Sequence, residues 1–454
     1  MPHRPSFRRP LLAALAGACL AACGGGDGGA APAPSPAPPA PPTANAAVAG
    51  EVVLQLVTGA QVAAVAADYQ LTVIAQFGRR PIWRLRAAAG ANVDSIVDTL
   101  RGDARVRFAE PNFEGETPER RHGLVWAFGG DSGSYAAQWA PDALRLPEAH
   151  THSTGAGIRV AVLDTGLDLA HPALAGRLAR TPGGGLLGRD FVDDDADPSE
   201  AGTQSDPGYG HGTHVAGLVA LAAPAAALMP VRVLDAQGQG NLWVLSDALL
   251  WAVDPDGNPN SDDGAHVVNL SLGSTRPTEL LKTAVALADC DFDDDDDDFE
   301  DPGFDDDKTR CGNKFGAAVL AAAGNAGSDT ELQYPAAEAM PGALAVTASA
   351  ENRQLAPIAN RGAWVEIAAP GDRIVSTFPG GGYATWSGTS MATPLAAGTA
   401  ALVLATRANP RDWLPLDVTN RLSDRSALLC GTSLRQVDAN AAVTDTQAPD
   451  EPCP

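Results

Sequence analysis

Basic residues are scarce in this sequence of 454 residues, which has 31 lysines and arginines against 55 aspartates and glutamates. The formal net charge of −24 argues against nucleic acid as a partner, because phosphate backbones are bound through positive charge. The acidity is local, however, since 13 of the 19 residues from Asp289 to Asp307 are acidic. This stretch carries more than half of the net charge, so the acidity does not describe the whole surface.

Apolar runs long enough to span a bilayer are also absent after the first 22 residues. Hydrophobic residues nevertheless make up 45% of the chain, so most of it should fold around a buried core. A chain of this length is expected to contain more than one domain.

The first 23 residues are typical of an export signal. The apolar run Leu11–Ala22 follows four basic residues, His3, Arg4, Arg8 and Arg9. The run is too short to span a bilayer comfortably. The run ends in Leu20-Ala21-Ala22-Cys23, which resembles the lipobox of bacterial lipoproteins, where the cysteine is lipidated after cleavage. The alternative is an ordinary secretory signal that is cut at a small residue.

Residues 24–47 favour lipidation of Cys23, because they form a Gly/Ala/Pro-rich tether that would hold an anchored domain away from a membrane. We therefore expect an exported protein. It would be lipid-anchored to the bacterial outer membrane or cell envelope, or else secreted, and the anchor would be its only membrane contact.

The four cysteines that follow the signal allow three disulfide pairings, and the sequence alone does not choose between them (Cys290, Cys311, Cys430 and Cys453). We prefer the pairing of nearest neighbours in an oxidising compartment, because each pair then closes one local insertion.

Residues 48–113 are predicted to form a small α+β domain. Their apolar patterns follow the order β-α-β-β-α-β, which is typical of a ferredoxin-like fold. Residues 114–138 are polar and glycine-rich with few signals of regular structure, and are predicted to be a linker.

From residue 139 onward, buried-strand patterns alternate with helical patterns and predict an α/β fold. The strand candidates are 158–164, 227–235, 265–273, 317–325 and 343–349, and the helix candidates are 211–223, 241–253, 278–288 and 390–407. The alternation predicts a mostly parallel sheet with helices on both faces. Active groups of such folds gather at the carboxyl ends of the strands.

Four residues at such positions could together perform acyl transfer. Asp164 and Asn325 each follow an apolar strand, whereas His211 and Ser390 each stand at the start of a helix. Ser390 would attack a carbonyl, His211 would carry the proton, and Asp164 would orient the histidine. The side-chain amide of Asn325 and a backbone N–H would stabilise the oxyanion. Taken singly, each residue could instead be a cap, a turn or a core residue.

The chain order Asp, His, Ser and the motifs around these residues resemble those of subtilisin-like serine proteases, the subtilases. The resemblance covers residues 138–442 and rests on VAVLDTGLDLAHP, GHGTHVAG, VVNLSLG, AAAGN, YPAA and SGTSMATP. It implies a triad of Asp164, His211 and Ser390 with Asn325 as oxyanion donor. It also selects Ser390 over Ser387 as the nucleophile and leaves His214 a structural role.

The same resemblance implies how a substrate would bind and how the enzyme would be made. The strands that would pair with a peptide contain Ser271, Leu272, Gly273, Ala323 and Gly324. Residues 48–113 would be an inhibitor-type propeptide, 114–138 a processing linker, 139–442 the catalytic domain and 443–454 a C-terminal tail. We therefore expect a serine endopeptidase made as a self-processed precursor. Its partners would be protein or peptide substrates and its own propeptide.

Two alternatives stay open: a catalytically silent binding protein with this fold, and a serine esterase that uses the same triad. Gln333 is a candidate for the wall of the pocket that receives the residue before the cleaved bond.

Two acidic segments raise the question of metal binding, although the chemistry itself would need no cofactor. Residues 254–263 alternate oxygen-bearing side chains as a structural calcium site would, or they form only a polar turn. The insert 289–311 either binds calcium weakly and diffusely or acts as a disordered acidic flap that steers basic substrates.

Overall fold

The computed structural model describes residues 45–57, 59–258, 261–289, 316–338, 340, 342–449 and 452–453. The predicted signal peptide, the lipidation site Cys23 and nearly all of the tether lie outside these ranges, as does the acidic insert from Cys290 to Cys311. All described residues belong to one compact unit, residues 41–454. Over these described ranges, no helix is both long and apolar enough to cross a lipid bilayer.

The N-terminal domain has the predicted β-α-β-β-α-β order. Its elements are β1 (Ala47–Leu56), α1 (Val62–Asp68), β2 (Thr72–Gln76), β3 (Ile82–Arg86), α2 (Val93–Leu100) and β4 (Val106–Glu116). The strands pair antiparallel in the order β2-β3-β1-β4. Val65 from α1 and Leu100 from α2 join Val52 and Leu54 of β1 in one buried cluster, which explains the apolar alternation of the strand.

The main sheet has nine strands in the order β16-β17-β13-β12-β11-β10-β6-β8-β7. All neighbouring pairs are parallel except β16 and β17. The bounds are β6 (Arg159–Asp164), β7 (Arg189–Asp190), β8 (Ala227–Arg232), β10 (Val267–Leu270), β11 (Ala318–Ala322), β12 (Ala343–Ser349), β13 (Ile367–Pro370), β16 (Ala427–Leu428) and β17 (Arg435–Gln436). The five predicted strands are therefore confirmed as β6, β8, β10, β11 and β12.

Helices cover both faces of this sheet, as predicted. The bounds are α3 (Pro118–His122), α4 (Ser132–Ala136), α5 (Trp139–Ala143), α6 (Leu146–Ala149), α7 (His211–Ala222), α8 (Leu242–Val253), α9 (Glu279–Asp289), α10 (Thr389–Leu404), α11 (Pro415–Asp424) and α12 (Ala439–Thr444). Along β6, Val160 and Val162 face the cluster that contains α7 and α10, whereas Ala161 and Leu163 face the cluster that contains α8 and α9. This two-sided burial explains why the strand is a continuous apolar run.

The N-terminal domain docks on the α/β domain that contains the main sheet, and it does so through its last strand. β4 pairs antiparallel with β9 (Gln239–Asn241), so the small sheet gains a fifth strand from the α/β domain. Two polar side chains of β4 also cap helices there. The Glu110 carboxylate accepts the N–H groups of Glu279 and Leu280 at the start of α9, and Asn112 accepts that of Trp243 in α8. These N–H groups have no partner within their own helices, so the docking satisfies them.

Residues 114–138 are more ordered than the sequence indicates. β4 continues to Glu116 and α3 and α4 follow. β5 (Ala127–Phe128) joins β14 (Ile374–Phe378) and β15 (Gly382–Trp386) in a three-stranded sheet. These elements are short, and neighbouring parts of the α/β domain hold them. At the other end, α12 extends to Thr444, two residues into the predicted tail.

Candidate active site

The first candidate residue, Asp164, ends β6, which lies between β10 and β8 in the main sheet, and its side chain is completely buried. One carboxylate oxygen, Oδ1, accepts hydrogen bonds from Nδ1 of His211 at 2.7 Å and from the backbone N–H of Thr165 at 2.8 Å. A buried carboxylate in this position fixes the orientation of the imidazole and favours its charged form.

His211 is the first residue of α7, where Gly210 in the left-handed conformation turns the chain into the helix. A side chain on the next residue, Gly212, would collide with the carbonyl oxygen of Gly166, which explains the glycine after the histidine. Burial alone would lower the pKa of His211, but the charges of Asp164 and Glu119 outweigh it and raise this pKa well above the usual 6.5.

His214, the second histidine of the motif, is also buried. Burial lowers its pKa to about 3, and repulsion by His211 adds to the effect. Its Nε2 is 3.2 Å from the carbonyl oxygen of Ala384. The side chain is therefore neutral and packs beside Trp386.

Ser390 is the second residue of α10, a helix that is buried along its whole length. Pro394 has no N–H to donate to the carbonyl of Ser390, and the hydroxyl of Ser271 donates to that carbonyl instead at 2.9 Å. This bond holds the start of α10 against the strand segment that contains Ser271. The Ser390 hydroxyl donates to a carboxylate oxygen of Glu119 at 2.6 Å and lies 3.2 Å from the carbonyl oxygen of Ser271.

Asn325 lies just beyond β11 with its side-chain amide turned toward Ser390. Its oxygen accepts from the backbone N–H of Thr389 at 2.8 Å and from the Thr389 hydroxyl at 3.0 Å. Because these two donors fix the oxygen, the amide N–H₂ points toward the serine and donates to Glu119 at 2.8 Å. The structure thus brings the four predicted catalytic residues together.

Glu119 is the residue that the sequence did not indicate. It lies in α3 and is 1% exposed, and its carboxylate contacts Ser390, His211 and Asn325. Burial opposes its charge, but hydrogen bonds from His211, Ser390 and Asn325 outweigh burial and hold its pKa below the usual value. The run Thr117-Pro118-Glu119 signals a helix start, because Thr117 caps α3. Nothing in it indicates contact with a serine 271 residues away in the chain.

The predicted substrate strands lie beside this group. Gly273 and Glu116 exchange two backbone hydrogen bonds of 2.9 and 3.0 Å, so β4 lies between Gly273 and β9 as an added strand. Ser271 and Leu272 are buried. Of the other two predicted residues, Ala323 donates to the carbonyl of Val346 at 2.9 Å and Gly324 donates to the Thr389 hydroxyl at 3.1 Å.

Gln333, the candidate for the pocket wall, is buried, and together with the carbonyl oxygen of Tyr334 it fills the space that a side chain on Gly273 would need. It therefore lies at the side of the predicted substrate strand.

Outside this site, three carboxylates of the predicted calcium segment lie together after α8. Oxygen atoms of Asp254, Asp256 and Asp263 are all within 4.8 Å of one another. The Ser261 hydroxyl hydrogen-bonds to Asp256 and Asp263, as a polar turn would also provide. Calcium binding here stays a prediction.

One predicted disulfide is present. Cys430 and Cys453 are bonded, with their Cα atoms 5.6 Å apart, which confirms the preferred pairing for these two cysteines. Cys290 and Cys311 lie outside the described residues.

Comparison with known proteins places this geometry in context. The sequence model of the Subtilase family matches residues 155–447, and that of the Open reading frame 2 N-terminal domain matches residues 43–111. Subtilisin BL from Lederbergia lenta is 38% identical over 306 residues, covering 65% of this chain and 93% of that protein. Thermitase from Thermoactinomyces vulgaris is 36% identical over 276 residues, covering 59% of this chain and 81% of thermitase.

Among solved structures, that of fervidolysin from Fervidobacterium pennivorans, a keratinolytic enzyme related to subtilisin, is similar with a TM-score of 0.65. The match is 20% identical and covers 90% of this chain and 62% of fervidolysin. At this identity the likeness supports the fold.

Proposed function

Because this chain belongs to the subtilase family and is a serine endopeptidase, we propose that Asp164, His211 and Ser390 are its catalytic triad and Asn325 its oxyanion donor. We also propose that it is exported and made as a self-inhibited precursor. The proposed chemistry uses side-chain and backbone groups only.

In the proposed reaction, the Ser390 oxygen attacks the carbonyl carbon of a peptide bond while His211 takes the hydroxyl proton at Nε2. The amide of Asn325 and the backbone N–H of Ser390 donate to the oxygen that becomes negative. His211 then gives its proton to the leaving nitrogen, the C–N bond breaks, and an ester on Ser390 remains. A water molecule then gives a proton to His211 and attacks the ester carbon. The bond from that carbon to the Ser390 oxygen breaks, and His211 returns the proton to this oxygen, which releases the acid and regenerates the serine.

One observation carries the proposal: a single carboxylate, that of Glu119, contacts all three groups that would act on a substrate. One oxygen accepts from the Asn325 amide at 2.8 Å. The other accepts from the Ser390 hydroxyl at 2.6 Å and is 3.1 Å from Nε2 of His211. The first oxygen thus lies where the carbonyl oxygen of a substrate would meet the Asn325 amide, and the second lies where its leaving nitrogen or the attacking water would meet His211. This arrangement supports a common reaction centre for these residues.

The same contact supports the precursor. Glu119 belongs to the chain that follows the N-terminal domain, and β4 occupies the strand position beside Gly273. A protein substrate would take that position by pairing its own backbone with Gly273 and β9, so substrate and precursor segment exclude each other. Residues 48–113, the predicted inhibitor, would hold this segment in the cleft, and cleavage is expected between Phe113 and Gln138.

Export and lipid anchoring at Cys23 are proposed from the N-terminal sequence. Labelling with radioactive palmitate tests the anchor. Cys23→Ser should remove the label and release the protein, and equal labelling of the variant would exclude Cys23 as the site.

The catalytic assignment is tested with the Ser390→Ala variant of the full chain. We expect it to lose casein hydrolysis, to resist labelling by a fluorophosphonate and to remain an uncut precursor when its N-terminus is sequenced. Normal activity in this variant would overturn the assignment. Unlabelled wild-type protein after removal of the precursor segment would favour a silent binding protein, and cleavage of short acyl esters without casein would favour an esterase.

A further inference from the structure

A second carboxylate, that of Glu200, lies behind the catalytic pair and is unused by the mechanism above. One of its oxygens accepts from the Thr165 hydroxyl at 2.7 Å. The other accepts from the Thr213 hydroxyl at 2.8 Å and from the Thr213 backbone N–H at 3.2 Å. Thr165 follows Asp164 directly, and Thr213 is two residues after His211, so this carboxylate links the neighbours of both residues.

The two threonines make further contacts that extend this link. The Thr165 oxygen accepts the backbone N–H of Gly212 at 3.0 Å, and the Thr213 oxygen accepts that of Asp168 at 2.9 Å. Both threonines are buried. Without Glu200, two buried hydroxyls and one N–H in the first turn of α7 would lose their acceptor, and the end of β6 would be less firmly tied to the start of α7.

The backbone holds Glu200 in place. Leu167 donates to the carbonyl of Pro198 at 3.0 Å, and Glu200 donates to that of Leu167 at 2.9 Å. The segment that carries Glu200 therefore runs alongside the chain that leaves Asp164. Enclosure of the carboxylate raises its pKa to about 7, and the charge of Asp164 adds to the rise. Keeping a carboxylate here thus has a cost, which is typical of groups retained for function.

Glu200 can also be reached from solvent. It lines an open pocket of about 560 Å³ with Leu167, Asp168, Tyr209, Pro379 and Gly380. None of the residues that line this pocket belongs to the N-terminal domain or to α3. The same environment is therefore expected before and after removal of the precursor segment.

We propose that Glu200 is a positioning residue for the Asp164–His211 pair, acting as the shared acceptor for Thr165 and Thr213. The inference rests on the triad proposed above. Loss of the carboxylate would let His211 move relative to Asp164 and Ser390 without altering the strands that bind substrate. The defect should therefore fall on kcat rather than on KM.

The test compares Glu200→Ala and Glu200→Gln with wild type and with a control, Glu366→Gln. Glu366 likewise accepts a backbone N–H, that of Ala345 at 2.8 Å, but it lies just before β13, which is four strands away from β6 in the sheet. Each precursor is processed by affinity-tagged wild-type enzyme that is then removed, and kcat and KM are measured on one peptide with and without added formate.

We expect Glu200→Ala to lower kcat by roughly 10- to 100-fold with KM changed less than about threefold. Formate is small enough to enter the pocket and should restore part of kcat in this variant alone. A kcat within about twofold of wild type, or a loss that formate does not reduce, would overturn the proposal.

If Glu200→Ala fails to fold, Glu200→Gln, which preserves volume, decides by the same split between kcat and KM. If Glu200 is not a positioning residue but the triad is correct, the Ser390→Ala variant will still be inactive. Failure of the triad itself would appear as activity in Ser390→Ala.

Discussion

At the residue scale, the histidine between two carboxylates would determine how the proposed precursor is silenced. Asp164 contacts one nitrogen of His211 and Glu119 contacts the other, and both acids are buried. The imidazole is therefore held in its charged form and cannot accept a proton from Ser390. Glu119 also receives the hydrogen bond that the serine would otherwise give to the histidine. The proposed precursor would thus be blocked both by occupation of the site and by the charge state of its base.

The pKa shifts give this block a pH dependence. The pKa of Glu119 lies below its ordinary 4.5, so its stabilising contribution is present above that pH and is lost on acidification. The pKa of His211 lies above its ordinary 6.5, so its contribution is complete below 6.5 and is lost as the pH rises toward the raised value. The ion pair should be most stabilising between these two ordinary values.

We therefore predict that Glu119→Gln destabilises the Ser390→Ala precursor by about 1.5–3 kcal/mol near pH 5 to 6, and by progressively less above pH 6.5. Urea unfolding across this pH range measures the difference, with the exposed Glu148→Gln as control. In the background of an intact Ser390, the same substitution should speed precursor processing. A destabilisation that does not change with pH would contradict the ion pair.

The oxyanion donor gives a second prediction at this scale. In the mature enzyme, Asn325→Ala should lower kcat by about 10² to 10³, the magnitude known for the corresponding donor of subtilisin itself and borrowed from it. KM should change little, because the amide would act mainly on charge that develops in the transition state. Steady-state kinetics on a peptide substrate measure both constants. Loss confined to KM would instead indicate a role in ground-state binding.

At the element scale, the elements that the sequence predicts are those whose apolar pattern shows directly which of their faces are buried. β6 and β11 are apolar runs because both faces are covered, and the motifs at their ends locate Asp164 and Asn325. α3 has a capping signal but only five residues, and its order depends on contacts that are remote in sequence. Arg121, for example, contacts Glu331, which is 210 residues away in the chain. The sequence therefore predicts the catalytic groups but not the carboxylate that blocks them.

The capping contact between β4 and α9 can be tested separately. Glu110 accepts two N–H groups of α9 although burial raises its pKa to about 7. Glu110→Ala should lower the unfolding free energy of the Ser390→Ala precursor by about 1–2 kcal/mol, because both helix donors lose their cap. Thermal unfolding compares it with Asp94→Ala, an exposed residue of the same domain. Equal stability of the two variants would show that this cap contributes nothing to docking.

At the scale of the whole molecule, the N-terminal domain and α3, which carries Glu119, are separate segments that would have separate tasks in the proposed precursor. The domain contributes surface and caps, since β4 adds to β9 and contacts the starts of α8 and α9. The carboxylate that contacts Ser390 comes only afterwards, in α3. The predicted boundary at residue 113 would therefore leave the blocking residue out of the inhibitor.

This division predicts that a fragment of residues 45–122 inhibits the mature enzyme in trans more tightly than a fragment of residues 45–113. Each charge-assisted hydrogen bond is worth about 1.5–3 kcal/mol, so the gain should be roughly 10- to 100-fold in Ki. Initial rates on a chromogenic peptide, taken before the fragment is cut, give the Ki of each fragment.

Because residues 114–122 also bring Arg121 and the rest of β4, the decisive comparison is Glu119→Gln within the longer fragment. That substitution should remove most of the gain. If it leaves Ki unchanged, the gain in affinity comes from the added strand and the basic residues of α3, and the Glu119 carboxylate does not contribute to inhibition.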